Sequence, residues 1–489
     1  MTESGNLKFK RRMSERRKQR VEMEKKIESD KSFLGTEPVG KLLFRLAVPT
    51  VTAQMINMLY NVVDRIYIGH IPKTGALSLT GVGVCMPLIM IVSAFAALVG
   101  NGGAPRATIL MGKGEKDQAE QILGNCFVTQ ILVSLVLSVM LFLFNRPILL
   151  AFGASSNTIE YAVEYMNIYA VGTIFVQMTL GMNMFITSQG FARTGMLSVL
   201  IGAVANLILD PVFIFGFQMG VRGAALATIL SQALSCIWVL SFLFGKKTVL
   251  QIKKNCMKLK GSVILPCLAL GSSLFIMQAS ESVISVCFNT SLLKYGGDVA
   301  VGAMTILTSV MQFAMLPLQG IGQGAQPIMS YNYGAGDQTR VKKTFRLLLK
   351  VDMCYAVGLW ALIMLFPQVF AAVFTADPVL IAFTKRALRT YTAVLFLFGI
   401  QMSCQMAFNS LGNAKASIIV AVMRKFVLLI PLIYIMPHIF RADQTMAVYL
   451  AEPVADFLAV SFTSVLFLSQ FQKMLSKNVS KNTEEKTIA

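Results

Sequence analysis

Long runs of apolar residues alternate with short polar segments along almost the whole chain. A membrane-spanning helix needs about 20 mostly apolar residues. Measured against that length, the pattern after residue 40 predicts twelve spans. The predicted spans are 43–66, 78–101, 123–144, 161–187, 195–217, 222–244, 262–291, 300–323, 345–366, 387–409, 416–438 and 445–469. An even number of spans places both chain ends on the same side of the membrane.

The composition agrees with an all-α polytopic membrane protein. Of the 489 residues, 55% are hydrophobic and only 14% are charged, whereas soluble globular proteins carry about a quarter charged residues. Eight cysteines without a CxxC pair and only two histidines predict neither a disulfide framework nor a metal site. We find no nucleophile–base pair, phosphate-binding loop or cofactor motif, so the sequence does not indicate an enzyme.

The formal charge of +20 is informative because Lys and Arg collect in cytoplasmic loops. With the N-terminus inside, 35 of these residues fall on the inner side and 9 on the outer side. This imbalance predicts that both termini are cytoplasmic. It also defines a basic tail (1–40), a lysine-rich cytoplasmic linker (246–260) and a second tail (473–489). The interspersed acids of the first tail favour a segment that faces water or anionic lipid over one that binds nucleic acid.

An internal repeat divides the spans into two sets. At a constant offset of 222 residues, five of the fifteen positions in 100–114 are identical to those in 322–336. The identical pairs are Gly100/Gly322, Gly102/Gly324, Pro105/Pro327, Gly112/Gly334 and Gly114/Gly336. We therefore predict two six-helix bundles, the N-lobe (41–245) and the C-lobe (261–472), that cross the membrane in the same direction. Secondary transporters commonly have such parallel repeats.

Two carboxylates lie well inside predicted spans of the N-lobe. Asp64 is in the first span, and Asp210 is in the fifth, one helical turn after Asn206. Counting residues from the span ends places Tyr165 and Thr228 at a similar depth. We expect these five side chains to form one polar pocket in the outer half of the membrane. Ionisation of both carboxyl groups in such a pocket is unfavourable because of desolvation and mutual repulsion. The pair can therefore carry a proton or, with the neighbouring oxygens, bind Na⁺ at Asp64, Asn206 and Asp210.

Other polar residues and prolines suggest supporting roles. Pro49, in the same span as Asp64, removes one helical hydrogen bond and is our candidate hinge. Six residues are predicted to line a substrate cavity: Thr50, Gln54, Asn57, Tyr60, Asn183 and Glu281.

The C-lobe gives weaker signals. Asp352, Glu452 and Asp456 lie near predicted span ends, and we expect them at the membrane interface. Arg424 and Lys425 fall inside the eleventh span, where the spacing alone gives them no function.

At this point the motifs resemble those of the multidrug and toxic compound extrusion (MATE) family, over about residues 40–470. The residues that carry the resemblance are Tyr60-Asn61, Asp64, Ile68-Gly69, Gly112, Gly114, Asn206, Asp210-Pro211, Gly223-Ala224-Ala225-Leu226-Ala227-Thr228, Gln326-Pro327, Tyr331-Asn332-Tyr333-Gly334-Ala335 and Leu411-Gly412-Asn413-Ala414. The resemblance implies a V-shaped antiporter of the bacterial cytoplasmic membrane. It would export cationic, lipophilic compounds in exchange for H⁺ or Na⁺, without a cofactor and as a monomer.

The resemblance also implies residue roles. In the DinF-like branch, whose coupling acids lie in the N-lobe, the matching positions are Asp64, Tyr165, Asn206, Asp210 and Thr228, with bending at Pro49. Another branch also uses carboxylates in the seventh and tenth spans. Here the tenth span has no acid and Glu281 is not clearly in register, which favours N-lobe coupling and H⁺. The alternative within the same superfamily is a flippase for lipid-linked precursors or polysaccharides, for which Arg424 and Lys425 are the supporting residues.

Overall fold

A computed structural model describes the backbone of residues 33–488 and the side chains of residues 33–476. The first 32 residues of the basic tail, and the side chains of most of the second tail, lie outside the described residues. Within the described part, every regular element is a helix. Ten helices are long and apolar enough to cross a membrane, or eleven when one bent pair is counted as a single span.

The number of spans rises from eleven to twelve because one helix, Gly261–Gly334, contains two spans. Its 74 residues would extend about 110 Å as one straight helix, several times the thickness of a membrane core. The helix is interrupted at Gly297, where φ is 64° and ψ is −161°. Glycine adopts this conformation readily because it has no Cβ. The predicted count of twelve spans is therefore confirmed.

We number the spans α1 to α12. In the N-lobe they are α1 Val39–Gly69, α2 Gly75–Lys113, α3 Lys116–Ala151, α4 Ile159–Ser188, α5 Ala192–Gly216 and α6 Val221–Phe244. In the C-lobe they are α7 261–296, α8 298–334, α9 Gln338–Leu365, α10 Pro378–Tyr391 with Leu395–Ser410, α11 Ala414–Ile439 and α12 Gln444–Ile488. The two parts of α10 meet at an angle of 44°. Short helices at Phe33–Thr36 and Pro367–Ala372 lie outside the spans.

The two lobes touch at glycines that the repeat relates to each other. A side chain at Gly112 would collide with the carbonyl of Tyr331, and a side chain at Gly334 would collide with the carbonyl of Ile109. The two contacts are equivalent in the repeat, because Gly112 corresponds to Gly334 and Ile109 corresponds to Tyr331 at the offset of 222 residues. The backbones of α2 and α8 therefore touch where the two helices cross. This glycine crossing lies at the end of the molecule that carries the α2–α3 and α8–α9 turns.

Further along the spans, the lobes are joined by α1 and α8. The hydroxyl of Thr50 donates to the carbonyl of Gly320 at 2.6 Å, and the amide of Gln54 donates to that of Gln323 at 3.2 Å. The charge distribution predicts that the glycine crossing faces the cytoplasm. On that assignment, the structure is closed toward the cytoplasm.

The linker between the lobes is fixed to the N-lobe. The side-chain oxygen of Gln189, at the end of α4, accepts from the backbone N–H groups of Val249 and Leu250 at 2.9 and 2.7 Å. Lys253 forms an ion pair with Glu120 of α3, and this hydrogen-bonded carboxylate raises the pKa of the lysine. Adjoining segments of the linker are thus held by α3 and α4.

Candidate functional site

Asp64 of α1 and Asp210 of α5 meet in the interior of the N-lobe. Their carboxyl groups lie within hydrogen-bonding distance of each other, and both residues are buried. Asp64 Oδ1 and Asp210 Oδ2 are buried atoms without a hydrogen-bond partner among the described residues. Two ionised carboxylates repel at such a distance, so this contact is favourable only when the pair shares a proton or binds a cation.

The neighbouring helices supply polar groups around the pair. Asn206 donates to Asp210 Oδ1 at 3.2 Å, and this contact follows from their spacing of one helical turn. Tyr165 of α4 lies close to Thr228 of α6 and to Asp64. The structure therefore brings together the five residues that the sequence places in one pocket.

The local backbone near Asp210 departs from a regular α-helix. Pro211 follows directly, and Val212–Gly216 form a π-helical turn. Proline cannot donate the usual backbone hydrogen bond, and single π turns inside helices are frequent at functional sites. The carboxyl pair thus lies next to the most irregular part of α5.

Beside the pair lies a small cavity of about 30 Å³. Asn206 and Thr228 of the predicted cluster contribute to its wall. Sites for drug-sized molecules usually measure about 300–1,000 Å³, so this cavity can hold water but is closed to such a substrate. The other residues that line it are Asn57, Tyr60, Thr179, Leu180, Val199, Gly202, Ala203, Ser231, Gln232 and Ser235.

Of the six residues predicted to line a substrate cavity, only Asn57 and Tyr60 line this one. Thr50 and Gln54 instead form hydrogen bonds to the C-lobe, as described above. Asn183 donates to the carbonyl of Gly195 within the N-lobe at 3.3 Å. Glu281 lies in the C-lobe and is paired with a lysine. Pro49 is buried within the continuous helix α1, so its role as a hinge stays a prediction.

The C-lobe contains a charged network that the sequence reasoning missed. Arg424 donates to Asp456 at 2.7 Å and to Glu452 at 3.0 Å, and Lys425 donates to Glu281 at 2.7 Å. Glu452, Asp456 and Asp352, which we expected at the membrane interface, are all buried inside the protein, and their depth in the membrane stays a prediction. The spacing of four residues between Glu452 and Asp456 was the available signal, because it places both acids on one face of α12.

The chain is similar to known proteins over most of its length. The protein-family model MatE matches residues 49–212 and 273–435. The chain is 23% identical over 424 residues to the multidrug export protein MepA of Staphylococcus haemolyticus, which covers 86% of this chain and 92% of that protein. It is 21% identical over 409 residues to MepA of Staphylococcus aureus, covering 83% and 89%.

The fold of the chain is also similar to solved structures of MATE transporters. A MATE structure in the bent conformation superposes with a TM-score of 0.86 at 22% identity, covering 92% of this chain and 99% of that one. The MATE multidrug transporter DinF-BH, solved as a complex with a ligand, superposes with a TM-score of 0.81 at 35% identity, covering 89% and 96%.

Proposed function

The chain belongs to the MATE family, a family of transporters rather than of enzymes, and from that premise we propose that it exports lipophilic cations in exchange for protons. As a multi-pass membrane protein it would act in the bacterial plasma membrane, as a monomer with both termini in the cytoplasm. Its relatives are named multidrug export proteins, which supports efflux of several compounds. The contact between the buried carboxyl groups of Asp64 and Asp210 is the observation that carries the proposal.

Proton coupling is favoured over Na⁺ coupling by the contact between the two carboxyl groups. An O–H···O hydrogen bond between carboxyl groups needs one proton, and it satisfies both groups without another ligand. A Na⁺ ion would need several oxygens around it. Asp64, Asn206 and Asp210 supply some of these, so Na⁺ is the alternative that the experiment must test.

The proposed exchange uses one site for two kinds of positive charge. When the pair is ionised, its negative charge attracts a lipophilic cation into the N-lobe cavity from the cytoplasmic side. A proton that arrives from outside is shared by the two carboxyl groups and lowers the negative charge of the pair by one. This weakens the attraction, so that the cation leaves. Bending of α1 near Pro49 would then close the cavity around the protonated pair, as in the small cavity described above.

The flippase alternative is less well supported by the N-lobe. A lipid-linked precursor carries phosphate groups, which call for basic residues around the transport cavity. The N-lobe cavity is lined by amides, hydroxyls and apolar groups beside two carboxyl groups. These groups suit a cation.

Purified protein in liposomes provides the test. With ethidium as the substrate, we expect an imposed pH gradient to drive transport and an imposed Na⁺ gradient at constant pH to have no effect. Liposomes without protein measure passive leak. Transport driven by Na⁺ alone would replace H⁺ with Na⁺ in the proposal, and transport under neither gradient would contradict antiport.

A further inference from the structure

A second, smaller pocket in the C-lobe occupies the position that the repeat assigns to the N-lobe cavity. It has a volume of about 10 Å³. Five residues that line it lie at the 222-residue offset from residues that line the N-lobe cavity. These pairs are Thr179/Gln401, Leu180/Met402, Val199/Ala421, Gly202/Arg424 and Ala203/Lys425. The two pockets are thus duplicates of one ancestral site.

The duplicates differ most at two adjacent positions. Gly202 and Ala203 add little bulk to the wall of the N-lobe cavity, whereas Arg424 and Lys425 place large cationic side chains in the wall of its smaller counterpart. The N-lobe cavity is lined by amide, hydroxyl and apolar groups, whereas the wall of the C-lobe pocket contains two cationic side chains. Met277, Phe398 and Met402 give the C-lobe pocket an apolar wall.

Arg424 is fixed within the C-lobe. Its guanidinium binds Asp456 and Glu452 of α12, and it lies 4.8 Å from the centre of the Phe398 ring. These two acids balance the charges of Arg424 and Lys425, and all four side chains are buried. When Glu281 moves away, the four buried groups that remain (two cationic and two anionic) have no net charge.

Lys425 is held differently, by an acid that water can reach. The Lys425 side chain is only 5% exposed, whereas that of its partner Glu281 is 57% exposed. A carboxylate with that exposure can leave the ammonium group at modest cost, because water solvates it. Glu281 thus covers the ammonium group of Lys425 and can move away from it into water.

The surface of α7 shows where Glu281 points. Four exposed polar residues form a stripe along one face of the helix: Gln278, Glu281, Ser285 and Asn289. A neighbouring stripe consists of the exposed apolar residues Val283, Val286 and Leu293. Ionisable groups at membrane depth face a water-filled space rather than lipid, so this polar stripe marks the wall of a water-filled cleft beside α7, on the side to which the exposed Glu281 belongs.

We propose that Lys425, supported by Arg424, is an anion-binding subsite that takes the carboxylate or phosphate group of an amphipathic substrate. Glu281 occupies the subsite in the free protein and withdraws into the cleft when the ligand's acid binds. The number of negative charges at Lys425 stays the same in this exchange. The apolar wall accommodates the body of the ligand. This inference rests on the proposed efflux function and extends its substrates to zwitterions.

Rhodamine 6G and the free acid formed by hydrolysis of its ester make a matched pair of probes. The first is a lipophilic cation, and the second has the same ring system with an added carboxylate. Binding of both to purified protein is measured by fluorescence polarisation, and export of both is measured in proteoliposomes under a pH gradient. The rhodamine 6G measurement tests the proposed function, and the free-acid measurement tests the subsite.

Two variants should have effects of opposite sign. Lys425→Met should weaken binding and export of the free acid about tenfold to a hundredfold, since it removes a buried charge-assisted hydrogen bond. Glu281→Gln should strengthen binding of the free acid about threefold or more, because it removes the internal competitor. Both variants should handle rhodamine 6G within about twofold of the unmodified protein. Lys425→Arg, which keeps the charge, should retain binding of the free acid.

The other outcomes each overturn the proposal. Equal losses for both probes in both variants would mean that the ion pair only stabilises the fold. Loss of rhodamine 6G export in Glu281→Gln alone would assign Glu281 to the cation. If the unmodified protein exports rhodamine 6G but does not bind the free acid, the subsite does not exist. If it exports neither compound, the proposed function fails first.

Discussion

Replacement of Asp64 by asparagine is expected to abolish export of ethidium driven by a pH gradient. Asparagine has the same shape as aspartate but cannot take up or release a proton, so Asp210 would lose the carboxyl group with which it pairs. Proteoliposome assays should give the rate found without protein. The side chain is buried and uncharged in the variant, so we expect the protein to stay folded, with an unchanged elution profile in size-exclusion chromatography.

A buried acid of the C-lobe provides the matched control. Asp352 is also buried in a membrane span, where it accepts a hydrogen bond from Ser403 at 2.7 Å. Asp352 has no part in the proposed coupling, so Asp352→Asn should still export ethidium. Normal export by Asp64→Asn, or equal loss in both variants, would show that the N-lobe pair is not the specific site of coupling.

A side chain at the glycine crossing should have the second large effect. In Gly334→Val, the new Cβ would overlap the carbonyl oxygen of Ile109, so α2 and α8 could no longer meet. We expect the cytoplasmic side to stay open and export to stop. A cysteine introduced at Gln54, in a background without other cysteines, should then react with an impermeant maleimide added from the cytoplasmic side.

The control for this variant is Gly358→Val in α9. A Cβ at Gly358 would meet nothing within 4 Å, so this substitution adds the same side chain without a collision. It should leave both export and labelling unchanged. Gly334→Val that keeps full export would mean that the closed crossing is not a required state of the transport cycle.

The spans and the N-lobe cluster could be predicted because they depend on local regularities. Hydropathy determines the spans, and a spacing of four residues places Asn206 beside Asp210 on one helix. Comparing depths along α1 and α5 was enough to bring Asp64 to the same level. Each of these inferences uses only the rise and period of a helix.

The C-lobe network could not be predicted in this way. Its ion pairs join Glu281, Arg424 and Glu452 from three helices, and their neighbours are set by tertiary packing. A position near the end of a predicted span also does not reveal whether a side chain is buried. Glu452 lies eight residues inside α12, about 12 Å along the helix, and its buried side chain accepts from Arg424. Thr50 and Gln54 lie away from the N-lobe cavity in this structure because packing of the lobes directs both toward α8.

In the proposed mechanism, protons and lipophilic cations compete for the pair formed by Asp64 and Asp210. Calorimetric titration of ethidium into the purified protein, in two buffers with different ionisation enthalpies, counts the protons released on binding. We predict release of about one proton per ethidium from the unmodified protein and of none from Asp64→Asn. Binding without proton release from the unmodified protein, or the same release from the variant, would contradict the claim.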